Sequence, residues 1–289
     1  MNTSFVERRP DGQIETLDTR QYTLGYSEGE FKRLQLQGDF VRDLTEDVLR
    51  RAGLKQGMHV LDLGCGVGDV SLLAGQLVGP SGSVLGIDRS QDAVEAAEQR
   101  AVEAGQCYWV RFASADLASF VPERRFDAII GRLVLMYLSE PAETLRRLAG
   151  FLRPGGIVAF QEMSMPYARS LPATPLFTQA LSWIIRAFAR TGFETDMGGK
   201  LFSTYLAAGL PIPQMISGAR VEGGAESPGY EYMAQTVRSL IPALERMGIT
   251  TAADVGIDDL ADRLRDEAVA HEACIMFPPM TGAWTRLPQ

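Results

Sequence analysis

The stretch VLDLGCGVGDVSLLAG, residues 60–75, joins a short apolar run to a glycine turn and then to a second apolar run with helical spacing. Val60–Leu63 reads as a buried strand, Gly64, Gly66 and Gly68 follow at alternate positions, and a helix begins near Asp69. Glycines permit unusual dihedrals and a close approach of ligand to backbone, while free amides at a helix start can meet an anionic or polar group. Turns of this kind serve nucleotide, dinucleotide and nucleoside ligands alike, so the glycines by themselves leave the ligand open. Two acids narrow the choice. The dinucleotide fingerprint G-x-G-x-x-G would place its third glycine where Asp69 stands, and Asp62, close to the turn, repels phosphate but attracts an ammonium group.

Strand and helix patterns alternate on the C-terminal side of this turn. Strands are expected at 58–64, 84–88, 108–116, 126–131 and 155–163, with helices at 68–78, 90–105 and 140–152 and Ser90 as an N-cap. Apolar strands separated by helices imply a parallel sheet covered on both faces, with right-handed crossovers. Two helices are expected between Tyr22 and Arg51, broken at Gly38 and stopped at Gly53, after a polar leader over residues 1–20. Beyond 163 the spacing predicts helices at 175–192, 200–210, 230–248 and 257–270, and a sixth strand near 213–221. The closing apolar stretch 274–287 contains Pro278 and Pro279, which favours an edge strand with the prolines in its irregular part.

Two further acids close successive strands. Asp88 ends the second, where a carboxylate can accept both hydroxyls of a ribose, a role equally suited to NAD and to adenosyl ligands. Asp116 ends the third, where it can receive an adenine amino group beside Leu117.

Composition bounds the partners. With 289 residues and 46% hydrophobic side chains the chain can bury a sizeable core. Its net charge of −8 and the absence of a dense Lys/Arg block argue against a nucleic-acid partner. Cys65, Cys107 and Cys274 are widely spaced, which suits a reducing compartment and supports neither a disulfide framework nor a metal site. The charged start MNTSFVERRPDG lacks the apolar core of a signal peptide, and no apolar run reaches membrane-spanning length, so a cytoplasmic protein is expected, monomeric or homodimeric.

Taken as a set, VLDLGCGVGD, VLGIDRS, ASADLASF, FDAIIGRLVLMYL and LRPGGIVAFQE resemble, over residues 58–163, the class I S-adenosylmethionine-dependent methyltransferases, in particular the small-molecule group that includes ubiquinone/menaquinone-biosynthesis enzymes. The resemblance implies an α/β, Rossmann-like seven-stranded sheet of order 3-2-1-4-5-7-6 with strand seven antiparallel, flanked by helices and extended by a helical lid and cap. It implies a lid over 1–57, an S-adenosylmethionine-binding core over 58–163, and an acceptor-site cap over 164–289 interleaved with the last two strands. Asp62, Gly64, Cys65, Gly66 and Gly68 then belong beside the methionine part of the cofactor, and Asp88 with Arg89 beside the ribose. Asp116 and Leu117 belong beside the adenine, and Arg132 and Leu133 near the sulfonium, with Gln37 reaching the cofactor from the lid. The reaction implied is methyl transfer to an oxygen or carbon of a small, partly apolar, cyclic or aromatic acceptor in a closed pocket, yielding S-adenosylhomocysteine. An NAD-dependent oxidoreductase, and a non-methylating enzyme or interaction protein that keeps the adenosyl-binding fold, stand as alternatives.

The acceptor side is read from the lid and the cap. Tyr22, Tyr26 and Arg33 are candidate lid contacts, and Met136 and Tyr137 begin the neighbouring wall. Phe177, Trp183, Phe188, Phe202 and Tyr205 form an aromatic stripe suited either to a cavity or to a core. The two histidines offer little. His59 sits at the start of the first strand, and His271 precedes the last. Candidates for proton transfer are therefore Tyr22, Tyr26, Glu162 and His271.

Overall fold

The computed structural model describes residues 28–289 and, before them, the backbone of two paired strands, β1 (Val6–Arg8) and β2 (Ile14–Thr16). Helices α1 (Glu28–Phe40) and α2 (Arg42–Ala52) lead into β3 (His59–Leu63), α3 (Asp69–Val78), β4 (Ser83–Asp88), α4 (Gln91–Glu103) and β5 (Val110–Ser114). Then come β6 (Phe126–Arg132), α5 (Pro141–Ala149), β7 (Leu152–Met163), β8 (Arg169–Leu171), α6 (Pro175–Arg190) and α7 (Met197–Ala207). The chain continues through β9 (Gln214–Gly218), β10 (Val221–Gly223), α8 (Gly229–Arg246), α9 (Ala252–Val255) and α10 (Leu260–Ala270), and finishes with β11 (Cys274–Met276) and β12 (Met280–Arg286).

Seven strands form one sheet in the order β5-β4-β3-β6-β7-β12-β9; numbered by their sequence within the sheet, this is 3-2-1-4-5-7-6. The first five run parallel, and β12 is antiparallel to both its neighbours. The parallel strands read as apolar runs because both faces are covered: Val60, Leu61, Ile129, Ile130 and Val158 are all almost fully buried. Local chemistry sets the helix ends. Ser90 accepts the Ala93 amide at 3.2 Å to cap α4, and Gly53 closes α2 in the left-handed region at φ 92°. Among the described residues no helix is long and apolar enough to cross a membrane.

Three expectations change. Gly38 does not break the first helix; it lies inside α1, and the break falls at Val41. Glycine is needed at 38 for proximity, since a Cβ there would stand 2.4 Å from Cγ of Asp69 at the start of α3. The last strand is not at the edge. Pro278 and Pro279 lie between β11 and β12, so Met280–Arg286 is free of proline and can hydrogen-bond to β7 on one side and β9 on the other. The segment before those prolines forms instead a small second sheet, β10-β11-β8; the helix expected over 257–270 is present as α10, with the short α9 added before it.

Candidate active site

The parallel strands all end on the side where the glycine turn lies. Gly64, Gly66 and Gly68 adopt φ values of 60°, 51° and 87°, the left-handed region that side chains disfavour. A Cβ on Gly64 would also meet Cγ2 of Val134 at 2.6 Å. The turn is latched to the next strand: the Gly66 amide donates to Oδ2 of Asp88 at 2.9 Å, and the Ser90 amide donates to Oδ1 at 3.0 Å. Helix α1 crosses the turn, with Leu34 within 3.8 Å of a Cβ placed on Gly66.

These strand ends border an open cleft of about 1230 Å³, its mouth included. Gly64, Cys65 and Gly66 form one wall, Asp88, Arg89, Asp116 and Leu117 a second, and Arg132, Leu133 and Gln37 a third. Asp116 is exposed at the rim and accepts the Ala118 amide at 2.8 Å. Gly68 lies outside the lining; it packs against Phe112, which a Cβ there would meet at 2.9 Å. Cys65 has its thiol pushed well up by burial, then by Asp62 and Asp88, which leaves it inert as a nucleophile.

Asp62 is also outside the lining, buried under the turn at 1% exposure. Ser71 donates to its Oδ2 at 2.6 Å, while Oδ1 has no hydrogen-bond partner. Burial raises its pKa to about 7 against the opposing pull of Ser71 and Arg132. Arg132 is itself buried, donates to Oγ1 of Thr45 at 3.1 Å, and lies 3.7 Å from Asp69, whose other oxygen is held by Arg100 at 2.7 Å. Burial lowers the Arg132 pKa, with Asp69 and Asp62 acting in the opposite direction.

A second, mainly apolar cavity, about 560 Å³ with its open mouth included, adjoins the cleft, and Gln37, Leu133 and Tyr137 line both. Of the residues chosen from sequence, Arg33, Met136, Tyr137 and Phe188 line this cavity. Phe177, Trp183, Phe202 and Tyr205 do not. Phe177 is buried edge-on to Phe277, Trp183 belongs to the hydrophobic core, and Phe202 is 45% exposed on α7. Tyr205 is wholly buried and donates its hydroxyl to the Ala283 carbonyl at 2.7 Å, tying α7 to β12. Tyr205→Phe should therefore lower stability by about 1 kcal/mol through loss of one buried hydrogen bond. Thermal melts and calorimetry check this, with adenosyl-ligand affinity expected to stay unchanged.

The proton-transfer candidates separate as well. Glu162 lines neither cavity; its Oε1 accepts the Val134 and Leu135 amides at 2.9 and 2.8 Å, so it braces the backbone after β6. His271 is exposed at the end of α10, with Nδ1 2.8 Å from the Glu267 carbonyl, and lines neither cavity. His59 faces Ser83 at the start of β3, with Nδ1 2.8 Å from Oγ. Tyr22 and Tyr26 lie outside the described residues. Among the described residues no three His, Cys, Asp or Glu side chains group to hold a metal.

The sequence reading missed Met165, Tyr232, Met233 and Phe277 in the cavity wall. Their local pattern is that of ordinary buried helix and strand positions, and only the packing of α8 against α1 and α6 turns that face toward a cavity.

Comparison with known proteins agrees with this geometry. Residues 54–189 match a family described as a methyltransferase domain. The ubiquinone/menaquinone biosynthesis C-methyltransferase UbiE of Azotobacter vinelandii is 26% identical over 204 residues, 70% of this chain and 68% of that one. The 2-phytyl-1,4-naphtoquinone methyltransferase of Synechococcus elongatus is 34% identical over 140 residues, 47% of this chain and 58% of that one. In fold, a solved structure from Bacillus halodurans described as a methyltransferase superposes with a TM-score of 0.57 at 13% identity, over 85% of this chain and 99% of that one. Over residues 54–189, a little under half of its length, the chain is thus similar to a methyltransferase domain, and its sheet has the fold of solved methyltransferases.

Proposed function

We propose that the chain transfers a methyl group from S-adenosylmethionine to an oxygen or carbon of a small, partly apolar, cyclic or aromatic acceptor held in a closed pocket. The observation that carries this reading is the pair of adjoining cavities, one bordered by the strand-end carboxylates and one mainly apolar, that share Gln37, Leu133 and Tyr137. The two relatives named above act, by their names, on quinone-type compounds, which supports a cyclic acceptor.

The residues present fit the cofactor. The unpartnered, buried Oδ1 of Asp62 suits an ammonium group, and the neighbouring Arg132 suits a carboxylate. Asp88, already aimed by two backbone amides, has lone pairs left for the ribose hydroxyls, and Asp116 with Leu117 borders the place for the adenine. The bound cofactor supplies a methyl group on a positively charged sulfur, a leaving group good enough that positioning provides much of the catalysis. Arg89, Gln37 and Leu133 complete the cleft wall, while Met136, Tyr137 and Phe188 give the acceptor an apolar seat.

Residues 1–57 act in this reading as the lid, with Tyr22, Tyr26 and Arg33 facing the acceptor; 58–163 are the cofactor-binding core, and 164–289 the acceptor cap. Closure of the lid excludes water and makes release depend on its opening. The protein works in the cytoplasm, without a nucleic-acid partner, as a monomer or homodimer. An NAD-dependent reaction is disfavoured by Asp69 in the third-glycine position.

Calorimetry with S-adenosylhomocysteine, S-adenosylmethionine and NADH tests the cofactor; binding of NADH alone would reject the reading. Labelled donor incubated with a phenol, quinol, indole and amine library tests transfer through acceptor-dependent release of S-adenosylhomocysteine. Phe188→Ala should reduce turnover by about ten-fold or more through loss of a buried wall of the cavity, with adenosyl affinity retained. Unchanged acceptor kinetics in the folded variant would move the acceptor elsewhere.

A further inference from the structure

The wall between the two cavities is built from segments remote in sequence, Gln37 on α1 with Leu133 and Tyr137 beyond β6, and Gln37 ties it to Tyr232 on the apolar side. Gln37 on α1 donates its side-chain amide to the Tyr232 hydroxyl on α8 at 2.9 Å, across 195 positions of chain. Because the phenol oxygen is already an acceptor in that bond, its own proton is left to donate, and no described residue receives it. The ring is held in place. Its centroid lies 5.2 Å from that of Phe40 and 6.0 Å from that of Phe277.

Leu133, a non-glycine residue at φ 54°, lines the apolar cavity together with this pair and also lines the cleft. Such a conformation costs about 1 kcal/mol or more and persists only where its surroundings enforce it. Here the Leu133 amide donates to the Gln161 carbonyl at 2.9 Å, and Glu162 holds the next two amides. The strained turn and the Gln37–Tyr232 pair thus line the same apolar cavity.

Among the described residues the rest of the apolar cavity has no proton acceptor of catalytic strength. Its described lining contains no carboxylate, imidazole, thiol or ammonium group, and its one cation, Arg33, is engaged in a two-pronged ion pair with buried Glu30. The described lining therefore suits an acceptor whose nucleophile enters already ionised. Four aromatic rings, Tyr137, Phe188, Tyr232 and Phe277, favour a flat body.

We propose that Tyr232, held by Gln37, is the residue that orients the acceptor, donating its hydroxyl hydrogen bond to an anionic oxygen of a flat, apolar phenolate- or enolate-type molecule. This rests on the methyl-transfer reading above. The acceptor loses its proton to bulk solvent before entry. A C–O or C–C bond then forms as the S–CH₃ bond breaks, the electron pair of that bond staying on sulfur. In C-methylation the remaining carbon-bound proton leaves to solvent afterwards.

The test uses the full chain saturated with S-adenosylhomocysteine, and two flat probes that differ in one oxygen: 4-nitro-1-naphthol, ionised at about pH 8, and 1-nitronaphthalene. Calorimetry should show the naphtholate binding the native chain about ten-fold more tightly, as expected for one charge-assisted hydrogen bond. In Tyr232→Phe that preference should fall to about two-fold or less, with affinity for 1-nitronaphthalene and for S-adenosylhomocysteine unchanged; Gln37→Leu should fall between the two. A merely structural role for Tyr232 would move both probes together. Equal binding of the two probes by the native chain, or a preference that survives Tyr232→Phe, would overturn the assignment. A chain that binds no S-adenosylhomocysteine would instead fail at the cofactor reading beneath it.

Discussion

Asp88→Ala is expected to weaken S-adenosylhomocysteine binding by roughly two to three factors of ten, the equivalent of about 3–4 kcal/mol. Each oxygen of this carboxylate accepts one backbone amide, from Gly66 or from Ser90, and keeps a lone pair for one ribose hydroxyl. Removing it loses two charge-assisted ligand bonds and also frees Gly66, so the glycine turn is no longer held in its binding shape. Asp88→Asn keeps one acceptor oxygen and should lose less. Calorimetry on folded variants, checked by thermal melts, measures both. An affinity within about two-fold of native for Asp88→Ala would remove Asp88 from the ribose.

The ligand-free protein should lose several kcal/mol of stability as pH rises from about 5 to about 7. Burial raises Asp62 from 3.8 and Glu162 from 4.5, each to about 7. Both folded-state values lie above those of the unfolded chain. Between the two sets of values the folded state holds more protons, so its advantage is full at the acid end of the window and is lost as these groups ionise on the way to neutrality. Glu162→Gln retains an oxygen for the Val134 and Leu135 amides while removing the titration. It should flatten part of the slope and raise stability near pH 8 by about 1–3 kcal/mol. Asp62→Asn should flatten the rest.

Ligand reverses the Asp62 part. An ammonium group beside its unpartnered oxygen favours the carboxylate, so S-adenosylmethionine binding should release protons and strengthen as pH rises toward about 7. Chemical denaturation across this range, and calorimetry in buffers of different ionisation enthalpy, give the two signs. A native curve no steeper than that of a chain carrying both Asp62→Asn and Glu162→Gln would contradict the account.

Much of the fold is written locally. The strand, glycine turn and helix at 60–75 can be read from neighbouring residues because period, turn dihedral and capping are short-range properties. The same holds for Ser90 capping α4 and for Gly53 ending α2. The strand-end acids Asp88 and Asp116 were legible for a related reason: a parallel sheet delivers the ends of successive strands to one side, so their order in sequence already implies their proximity.

Tertiary structure decided what depended on partners distant in the chain. Gly38 looks like a helix break until Asp69 is brought against it, and the Met280–Arg286 strand looks like an edge until β7 and β9 take both its sides. Glu162 passes for a base in the sequence, whereas its fold neighbours are two backbone amides. Tyr205 and Tyr232 occupy similar amphipathic helices, yet one donates to a core carbonyl and the other meets Gln37 at the edge of a cavity. Helical periodicity marks a side chain as inward-facing but carries no information about whether the opposite wall is packed or open. That depends on how α1, α6 and α8 dock, which only the assembled chain determines.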